Sequence, residues 1–243
     1  MQIQVGAAKI GKYATSESGD TLEMVERPQG GLSFVLADGQ RSGTAAKTIS
    51  NLVTSKAIAL LSEGVRDGAV ARATHDYLFT LRHGKVSATL NIVSVDMTSK
   101  TLVLSRNSHC PAIIQTAPGE QIILNDPAPP IGVHARTKPQ IIEMPIAYGM
   151  VAVVFTDGVQ GSHPTADREI DISSFIDYLY TRYRDQAAVA RPIADALLAE
   201  AMNRDDNRPK DDISVLVVAV ARNQADDVRR LSVSFPVPPI LRP

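Results

Sequence analysis

The stretch FVLADGQRSG, residues 34–43, is an apolar run that ends on an acid followed by glycine. The same change from apolar to acidic occurs at FTDG, residues 155–158. It occurs in reverse at KDDI, residues 210–213, where two acids precede an apolar run. An Asp-Gly pair after a strand is most often a turn. Three such acids at predicted strand ends, far apart in the chain, raise the question of whether one site uses all of them.

Composition limits the classes of protein that this chain can represent. The 243 residues, 44% of them hydrophobic, are enough for one domain or two small ones. Lys and Arg number 25 against 26 Asp and Glu, so no strong overall charge would attract nucleic acid or an anionic membrane. No apolar run approaches the roughly 20 residues of a membrane-spanning helix. The lone Cys110 excludes an internal disulfide and a multi-cysteine zinc site, which favours a reducing, cytoplasmic location.

Hydrophobic periodicity predicts a mixed fold with many strands. Strands are expected at 3–10, 21–26, 31–37, 86–97, 101–106, 112–116, 121–124, 140–144, 150–155 and 213–221. Helices are expected from 42 to Gly64 and at 67–82, 171–184 and 187–204. Strands joined by hairpin-like turns, without regular strand–helix alternation, indicate an α+β fold with largely antiparallel sheets. The fold predicted is an antiparallel β-sandwich flanked by helix pairs.

Three further expectations concern particular segments. In the helix at 67–82, the stripe Val70, Ala73, Tyr77 and Leu81 is predicted to face the core. The prolines of NDPAPPIG, residues 125–132, forbid a helix or a strand ladder, so this segment is predicted to be an ordered loop. The folded domain is expected to span 1–222, and the proline-rich residues 223–243 are expected to form a C-terminal tail.

The acids suggest a metal site. If their strands are neighbours, Asp38, Asp157 and Asp211 converge at one edge of the core. Clustered carboxylates repel one another, at a cost of several kcal/mol unless a cation compensates. Oxygen ligands favour Mg²⁺ or Mn²⁺ over zinc. Gly39 has no side chain and would let a backbone carbonyl approach the metal. Each acid taken singly can still be a turn residue, and Asp20 and Asp212 have such interpretations too.

Four motifs, in chain order, carry a family resemblance. They are SGD at 18–20, ADGQRSGTAA at 37–46, FTDGV at 155–159 and DDISVLVV at 211–218. Supporting matches are ATLNIVSVD at 88–96, RNSHCPAII at 106–114 and APPIGV at 128–133. Together they resemble the bacterial, SpoIIE-like (RsbU/RsbX-like) branch of the PP2C (PPM) metal-dependent protein serine/threonine phosphatases, over about residues 5–221. The resemblance implies the α-β-β-α sandwich of that family.

The resemblance also implies roles for the acids. Asp38 would bridge two Mg²⁺ or Mn²⁺ ions, and the Gly39 carbonyl would bind one of them. Asp157 and Asp211 would complete the shell of the second ion, and Asp20 would lie on the other side, binding directly or through water. Asp212 ranks below Asp211, because eukaryotic relatives often have Asn at that position.

The implied reaction is hydrolysis of phosphoserine or phosphothreonine on a signalling protein, expected to be a STAS-type anti-sigma antagonist or a stress-response partner. A hydroxide bridging the ions would attack phosphorus in line, without a phosphoenzyme. Many eukaryotic members have His directly after the Asp-Gly pair, whereas this chain has Gln40. His109 is therefore the candidate general acid, the alternative being a histidine that orders its loop. Lys9, Lys12 and Arg41 are candidates to hold the substrate phosphate, although a solvated surface charge is the favoured interpretation of each.

Two other interpretations stay open at this point. The chain could be a catalytically inactive phosphatase-fold scaffold, or a structural protein that binds a cation. Degenerate family members usually lose the acids, and Asp20, Asp38, Asp157 and Asp211 are all present here. A structural cation site would account for the acids but not for the ordered motifs. Catalysis is therefore the favoured interpretation.

Overall fold

The computed structural model of the chain describes residues 1–161, 171–222 and 227–236. Its strands are β1 Gln2–Ile10, β2 Asp20–Glu26, β3 Gly31–Gly39, β4 Ala88–Asp96, β5 Thr101–Asn107, β6 Ala112–Ala117, β7 Glu120–Leu124, β8 Gln140–Pro145, β9 Val151–Phe155 and β10 Ile213–Ala221. Its helices are α1 Gly43–Ser62, α2 Asp67–Arg82, α3 Ile172–Tyr183 and α4 Ala190–Arg204, with a short 3₁₀ turn at Asp157–Val159.

The strands form two antiparallel sheets of five strands each. The first sheet has the order β1-β10-β9-β6-β7, and the second has the order β2-β3-β4-β5-β8. One apolar layer lies between the sheets, a second lies between the first sheet and α3 and α4, and a third lies between the second sheet and α1 and α2. The predicted α-β-β-α sandwich is thereby confirmed.

Coverage of both faces explains why the central strands are apolar throughout. All nine residues of β10 are buried, and so are all five of β9. Successive side chains of a strand point to opposite faces. In β3, Leu36 therefore enters the layer between the sheets, while Val35 packs under α1 and α2. A strand with only one covered face would alternate with polar residues instead.

The core-facing stripe predicted for α2 is wrong, because half of the buried residues lie one position along the chain from the predicted ones. Tyr77 is 39% exposed and Leu81 47% exposed. The buried residues of α2 are Asp67, Val70, Ala71, Thr74, His75 and Leu78. His75 enters the core because its Nδ1 accepts a hydrogen bond from the Gly132 backbone N–H at 3.1 Å, which holds the 125–132 loop against the helix. A pattern of apolar residues alone cannot place a buried histidine on the core face.

The C-terminal prediction concerns residues 223–243, of which only 227–236 are described. These ten residues contain no helix or strand, and all of them are exposed. Arg229 forms an ion pair with Glu26 at 2.7 Å. The domain boundary at residue 222 stays a prediction. None of the helices in the described part of the chain combines the length and the apolar composition needed to span a bilayer.

Candidate active site

Acids from both sheets meet at one end of the sandwich. In the second sheet, Asp20 begins β2 and lies opposite Asp38, near the end of β3, in the antiparallel register. In the first sheet, Asp157 follows β9, and Asp211 and Asp212 directly precede β10. Since β9 and β10 are antiparallel neighbours, the end of one strand lies beside the start of the other. Strand pairing therefore brings the acids together within each sheet.

Asp20 joins the two sheets. Its Oδ2 accepts hydrogen bonds from Thr156 Oγ1 at 2.9 Å and from Ser214 Oγ at 2.6 Å, both on the first sheet. Its Oδ1 is buried without a hydrogen-bond partner among the residues that the structure describes. Burial raises the pKa of Asp20 to about 6, although the two hydroxyl bonds lower it. A buried oxygen without a partner is rare in proteins. The role of Asp20 as a metal ligand stays a prediction.

Asp38 lies in the most strongly acidic surroundings. Burial, followed by the charges of nearby acids, raises the pKa of Asp38 to about 9. These acids are Asp20, Asp157, Asp211 and Asp212. Their charges act on Asp38 from both sheets, which is the convergence that the sequence motifs predicted. In the absence of a cation, such a carboxyl keeps its proton at neutral pH.

The side of the site formed by Asp157 and Asp211 is open to solvent. The Asp157 side chain is 41% exposed, and its Oδ2 lies 3.2 Å from Nε2 of His109, which is 55% exposed. The hydrogen bond to Asp157 raises the pKa of His109. Burial, and to a smaller extent the charge of Asp157, raises the pKa of Asp211. His109 therefore lies beside the acids, in surroundings that favour its protonated form.

Asp212 has a different task from Asp211. Its Oδ1 accepts from the Lys12 backbone N–H at 2.8 Å, and its Oδ2 accepts from the Gly19 backbone N–H at 2.7 Å. Both of its oxygens therefore fix the segment that leads into Asp20. Asp211 Oδ1 accepts from the Asp212 backbone N–H at 2.9 Å, and the charge of Asp157 acts on this side chain. The ranking of Asp211 above Asp212 as a metal ligand stays a prediction.

The glycine of each Asp-Gly pair is required by close packing. A Cβ on Gly39 would lie 2.1 Å from the Ala46 carbonyl oxygen in α1. A Cβ on Gly158 would lie 2.2 Å from the Asp212 carbonyl oxygen. Only glycine permits such an approach of two backbones. Gly39 thus has a reason for its identity besides the predicted carbonyl ligand, and that ligand role stays a prediction.

Two lysines surround the Asp20 backbone. Lys9 Nζ and Lys47 Nζ both donate to the Asp20 carbonyl oxygen, Lys47 at 2.7 Å. Lys47 also donates to Thr21 Oγ1 at 2.9 Å. Burial, followed by the charge of Lys47, lowers the pKa of Lys9 to about 8. Lys9 was a predicted phosphate ligand, whereas Lys47 lies in a helix and had no signal that set it apart.

The position after the first Asp-Gly pair serves the backbone. Gln40 N donates to the Ser87 carbonyl at 3.0 Å, and Gln40 Oε1 accepts from Ser87 N at 3.1 Å. The side chain thus continues the β3–β4 pairing past the end of the strands. An amide held in this way offers no acidic proton, which leaves His109 as the candidate acid.

The acidic end of the sandwich offers oxygen donors to a cation. Over the described ranges, no three His, Cys, Asp or Glu side chains form a group close enough to hold a metal ion. The chemistry of the site nevertheless fits a hard cation, because its donors are carboxylate oxygens and the buried Asp20 Oδ1 has no partner. A bound cation would also offset the mutual repulsion that raises the pKa of Asp38.

Two sheets between helix pairs, with acids of both sheets at one end, define the class of PP2C-type phosphatases. Within that class the chain belongs to the Stage II sporulation protein E (SpoIIE) family, whose sequence model matches residues 28–221. SpoIIE, RsbU and RsbX are PP2C-like serine/threonine phosphatases of this kind. The family resemblance of the sequence motifs is confirmed.

Individual relatives are distant in sequence and similar in fold. Stage II sporulation protein E of Bacillus subtilis (strain 168) is 22% identical over 244 residues, which cover 99% of this chain and 28% of that protein. The structure of its PP2C phosphatase domain with a fragment of the regulatory domain superposes with a TM-score of 0.73 at 19% identity, covering 92% of this chain and 64% of that one. The structure of RsbX in complex with magnesium superposes with a TM-score of 0.68 at 16% identity, covering 90% of this chain and 96% of that one.

Proposed function

We propose that this chain is a Mg²⁺- or Mn²⁺-dependent protein phosphatase that hydrolyses phosphoserine or phosphothreonine on a signalling protein. The observation that carries the proposal is the convergence of Asp20, Asp38, Asp157 and Asp211 from two sheets at one end of the sandwich. Membership of the SpoIIE family supports the same reaction. Catalysis is preferred over an inactive scaffold because the acids are present and close enough to raise the pKa of Asp38.

The residues that would hold two cations are those of the acidic end. Asp38 and the Gly39 carbonyl would serve one ion, Asp38, Asp157 and Asp211 the other, and Asp20 would act from the closed side, directly or through water. When bound, such ions lower the pKa of a water molecule and offset charge on the phosphoryl oxygens. The hydroxyls of Thr156 and Ser214 hold Asp20 Oδ2, so that Oδ1 keeps a defined direction.

His109 is proposed to donate the proton that the leaving group needs. In hydrolysis a water oxygen forms a bond to phosphorus, the bond from phosphorus to the serine or threonine oxygen breaks, and that alkoxide takes up a proton. The Nε2 of His109 lies 3.2 Å from Asp157 Oδ2, which favours the protonated ring. The ring is also exposed, as an acid that meets a protein substrate must be.

The proposed substrate is a phosphorylated STAS-domain protein in a partner-switching or stress-response pathway. Belonging to a family of signalling phosphatases supports this choice. The near-neutral charge of the chain offers no general attraction to nucleic acid. We place the enzyme in the cytoplasm, where such substrates occur and where the free thiol of the buried Cys110 would stay reduced.

Hydrolysis of p-nitrophenyl phosphate and of a phosphorylated STAS protein should require Mn²⁺ or Mg²⁺. We expect EDTA to abolish both activities and added metal to restore them, because the carboxylates need a cation to act on phosphate. The rate of phosphate release against metal concentration is the measurement. Turnover that persists after metal removal would contradict the proposal. Activity on the nitrophenyl ester alone would support the assignment as a phosphatase but contradict the proposed STAS substrate.

His109→Ala should affect poor leaving groups selectively. With a phosphoserine peptide, kcat is expected to fall about a hundredfold, within the usual range for loss of a general acid. With p-nitrophenyl phosphate the loss should be small, because nitrophenolate leaves without a proton. His134→Ala, which changes an exposed histidine on another loop, is the matched control. Equal losses on the two substrates would return His109 to a loop-ordering role.

A further inference from the structure

Arg106 is an unusual residue of the second sheet. It lies near the end of β5, is only 1% exposed, and is among the largest fully buried side chains described. Its guanidinium uses all five N–H donors. Nη1 donates to the carbonyls of Ser108 at 2.6 Å and Cys110 at 2.7 Å. Nε and Nη2 donate to Gln140 Oε1 at 3.1 and 2.6 Å, and Nη2 also donates to the Asp126 carbonyl.

The acceptors around Arg106 are all neutral. Among the residues that the structure describes, no carboxylate accepts a hydrogen bond from it; the Asp126 carboxylate accepts instead from Gln140 Nε2 at 3.1 Å. Burying a cation without a directly bonded anion is costly, and an apolar side chain would often stabilise such a place better. What a guanidinium offers instead is a rigid planar fork that fixes several acceptors in one geometry. This arrangement indicates a role in positioning.

The acceptors show what is positioned. The carbonyls of Ser108 and Cys110 flank His109, so the fork holds the peptide units on both sides of that residue. Cys110 N also donates to Ser108 Oγ at 3.1 Å, which closes the turn. The His109 side chain is 55% exposed, so packing covers only part of its ring. Its contact with Asp157 therefore depends on the backbone of the turn.

The same fork ties this turn to two other segments. Through Asp126 it reaches the 125–132 loop, and through Gln140 it reaches β8. The next residue, Asn107, reinforces the loop by donating to the Pro129 carbonyl at 3.1 Å and to Thr137 Oγ1 at 2.8 Å. Three segments that are distant in sequence thus share one buried anchor.

We propose that Arg106 is the positioning residue that holds His109 beside Asp157, by fixing the 108–110 turn to the 125–132 loop and to β8. Its consequence for catalysis rests on the proposed function, in which His109 is the acid. The effect of Arg106 on the position of the His109 ring does not depend on the proposed function. The two can therefore be tested separately.

Arg106→Lys keeps the positive charge and removes the fork. Because a misplacement of about 1 Å can cost up to about a hundredfold in rate, we expect kcat on a phosphoserine peptide to fall at least about tenfold. The rate on p-nitrophenyl phosphate should change less than about twofold, since that substrate needs no acid. Arg27→Lys is the matched control: Arg27 is also largely buried and donates to the Val65 carbonyl and Asp67, at the opposite end of β2 from Asp20. It should lower the melting temperature without changing the ratio of the two rates.

Side-chain NMR spectra of the histidines give a readout that needs no turnover. The imidazole signals of His109, assigned with His109→Gln, should shift in Arg106→Lys and stay in place in Arg27→Lys. Unchanged His109 signals with an unchanged rate ratio would overturn the inference. A wild-type protein without metal-dependent activity would remove the proposed function, while the spectra would still decide the positioning role.

Gln140→Met gives a second test if Arg106→Lys does not fold. This change removes the acceptor of two of the five bonds and leaves Arg106 in place. The same changes in the His109 signals and in the rate ratio are expected, with smaller size. His109 signals and a rate ratio like those of the wild type would contradict the proposal here too.

Discussion

Replacing Asp38 with asparagine is expected to lower metal-dependent phosphatase activity at least about a thousandfold, because a metal ion contributes several kcal/mol and each 1.36 kcal/mol is tenfold in rate. The same change should stabilise the metal-free protein at pH 8. The two effects have one cause. Asp38 lies among like charges that a bound cation would offset. The cluster of acids proposed to support activity therefore destabilises the folded protein when no metal is bound.

The sign of the pH dependence follows from the raised pKa. The pKa of Asp38 is about 9 in the folded protein, against an ordinary value of 3.8. Its contribution to stability is therefore complete below about pH 4 and is lost as the pH rises towards 9. The slope for this one group is at most about 1.4 kcal/mol per pH unit. Asparagine has no proton to lose, so the variant should show a flatter curve.

Thermal unfolding in EDTA between pH 4 and pH 9 measures this effect. Asp195→Asn is the matched control, since Asp195 is an exposed acid of α4 that pairs with Arg191 at the surface. Its curve should run parallel to that of the wild type. Added Mn²⁺ should raise the melting temperature of the wild type and not that of Asp38→Asn. Parallel curves for wild type and Asp38→Asn would refute this account of the acidic end.

Gly158→Ala is expected to destabilise the fold by about 3 kcal/mol, the upper part of the usual range for overpacking. The added Cβ would lie 2.2 Å from the Asp212 carbonyl oxygen and 2.9 Å from its carbon, and backbone atoms cannot swing aside as a flexible side chain does. The shift would separate the segment after β9 from the segment before β10. Urea unfolding of the metal-free protein measures the loss.

Gly11→Ala is the control for that substitution. Around Gly11 the nearest atom to a new Cβ is 3.5 Å away, an ordinary contact. The free energy of unfolding of the Gly11→Ala variant should stay within about 0.5 kcal/mol of that of the wild type, as for most surface changes. If Gly158→Ala and Gly11→Ala unfolded at the same urea concentration, the close approach would have no energetic weight.

Much of the architecture could be predicted from the sequence because its signals are local. Strand β10 was predicted as Ile213–Ala221 and α2 as Asp67–Arg82, and both have those bounds. An apolar run in a doubly covered strand, and glycine after a helix, are visible within a few residues. The two Asp-Gly motifs were visible for the same reason, since each lies at a change from apolar to polar sequence.

The arrangement of the site depended on contacts between distant residues. Asp20 Oδ2 meets Thr156 and Ser214, which are 136 and 194 residues away, and no short-range pattern records such a pair. The division of tasks between Asp211 and Asp212 depends on where Lys12 and Gly19 present their N–H groups. The buried face of α2 likewise depended on a partner for His75 in another loop.

By itself, the sequence determined the order of the strands and helices, the α+β class and the acids that end the strands, because these depend on neighbouring residues and on side-chain periodicity. The tertiary structure alone decided which oxygens lie free, which acid holds backbone, and that the buried Arg106 fixes the turn carrying His109. Burial and charge are properties of the packed chain. They depend on what surrounds each group, and folding brings those surroundings from every part of the sequence.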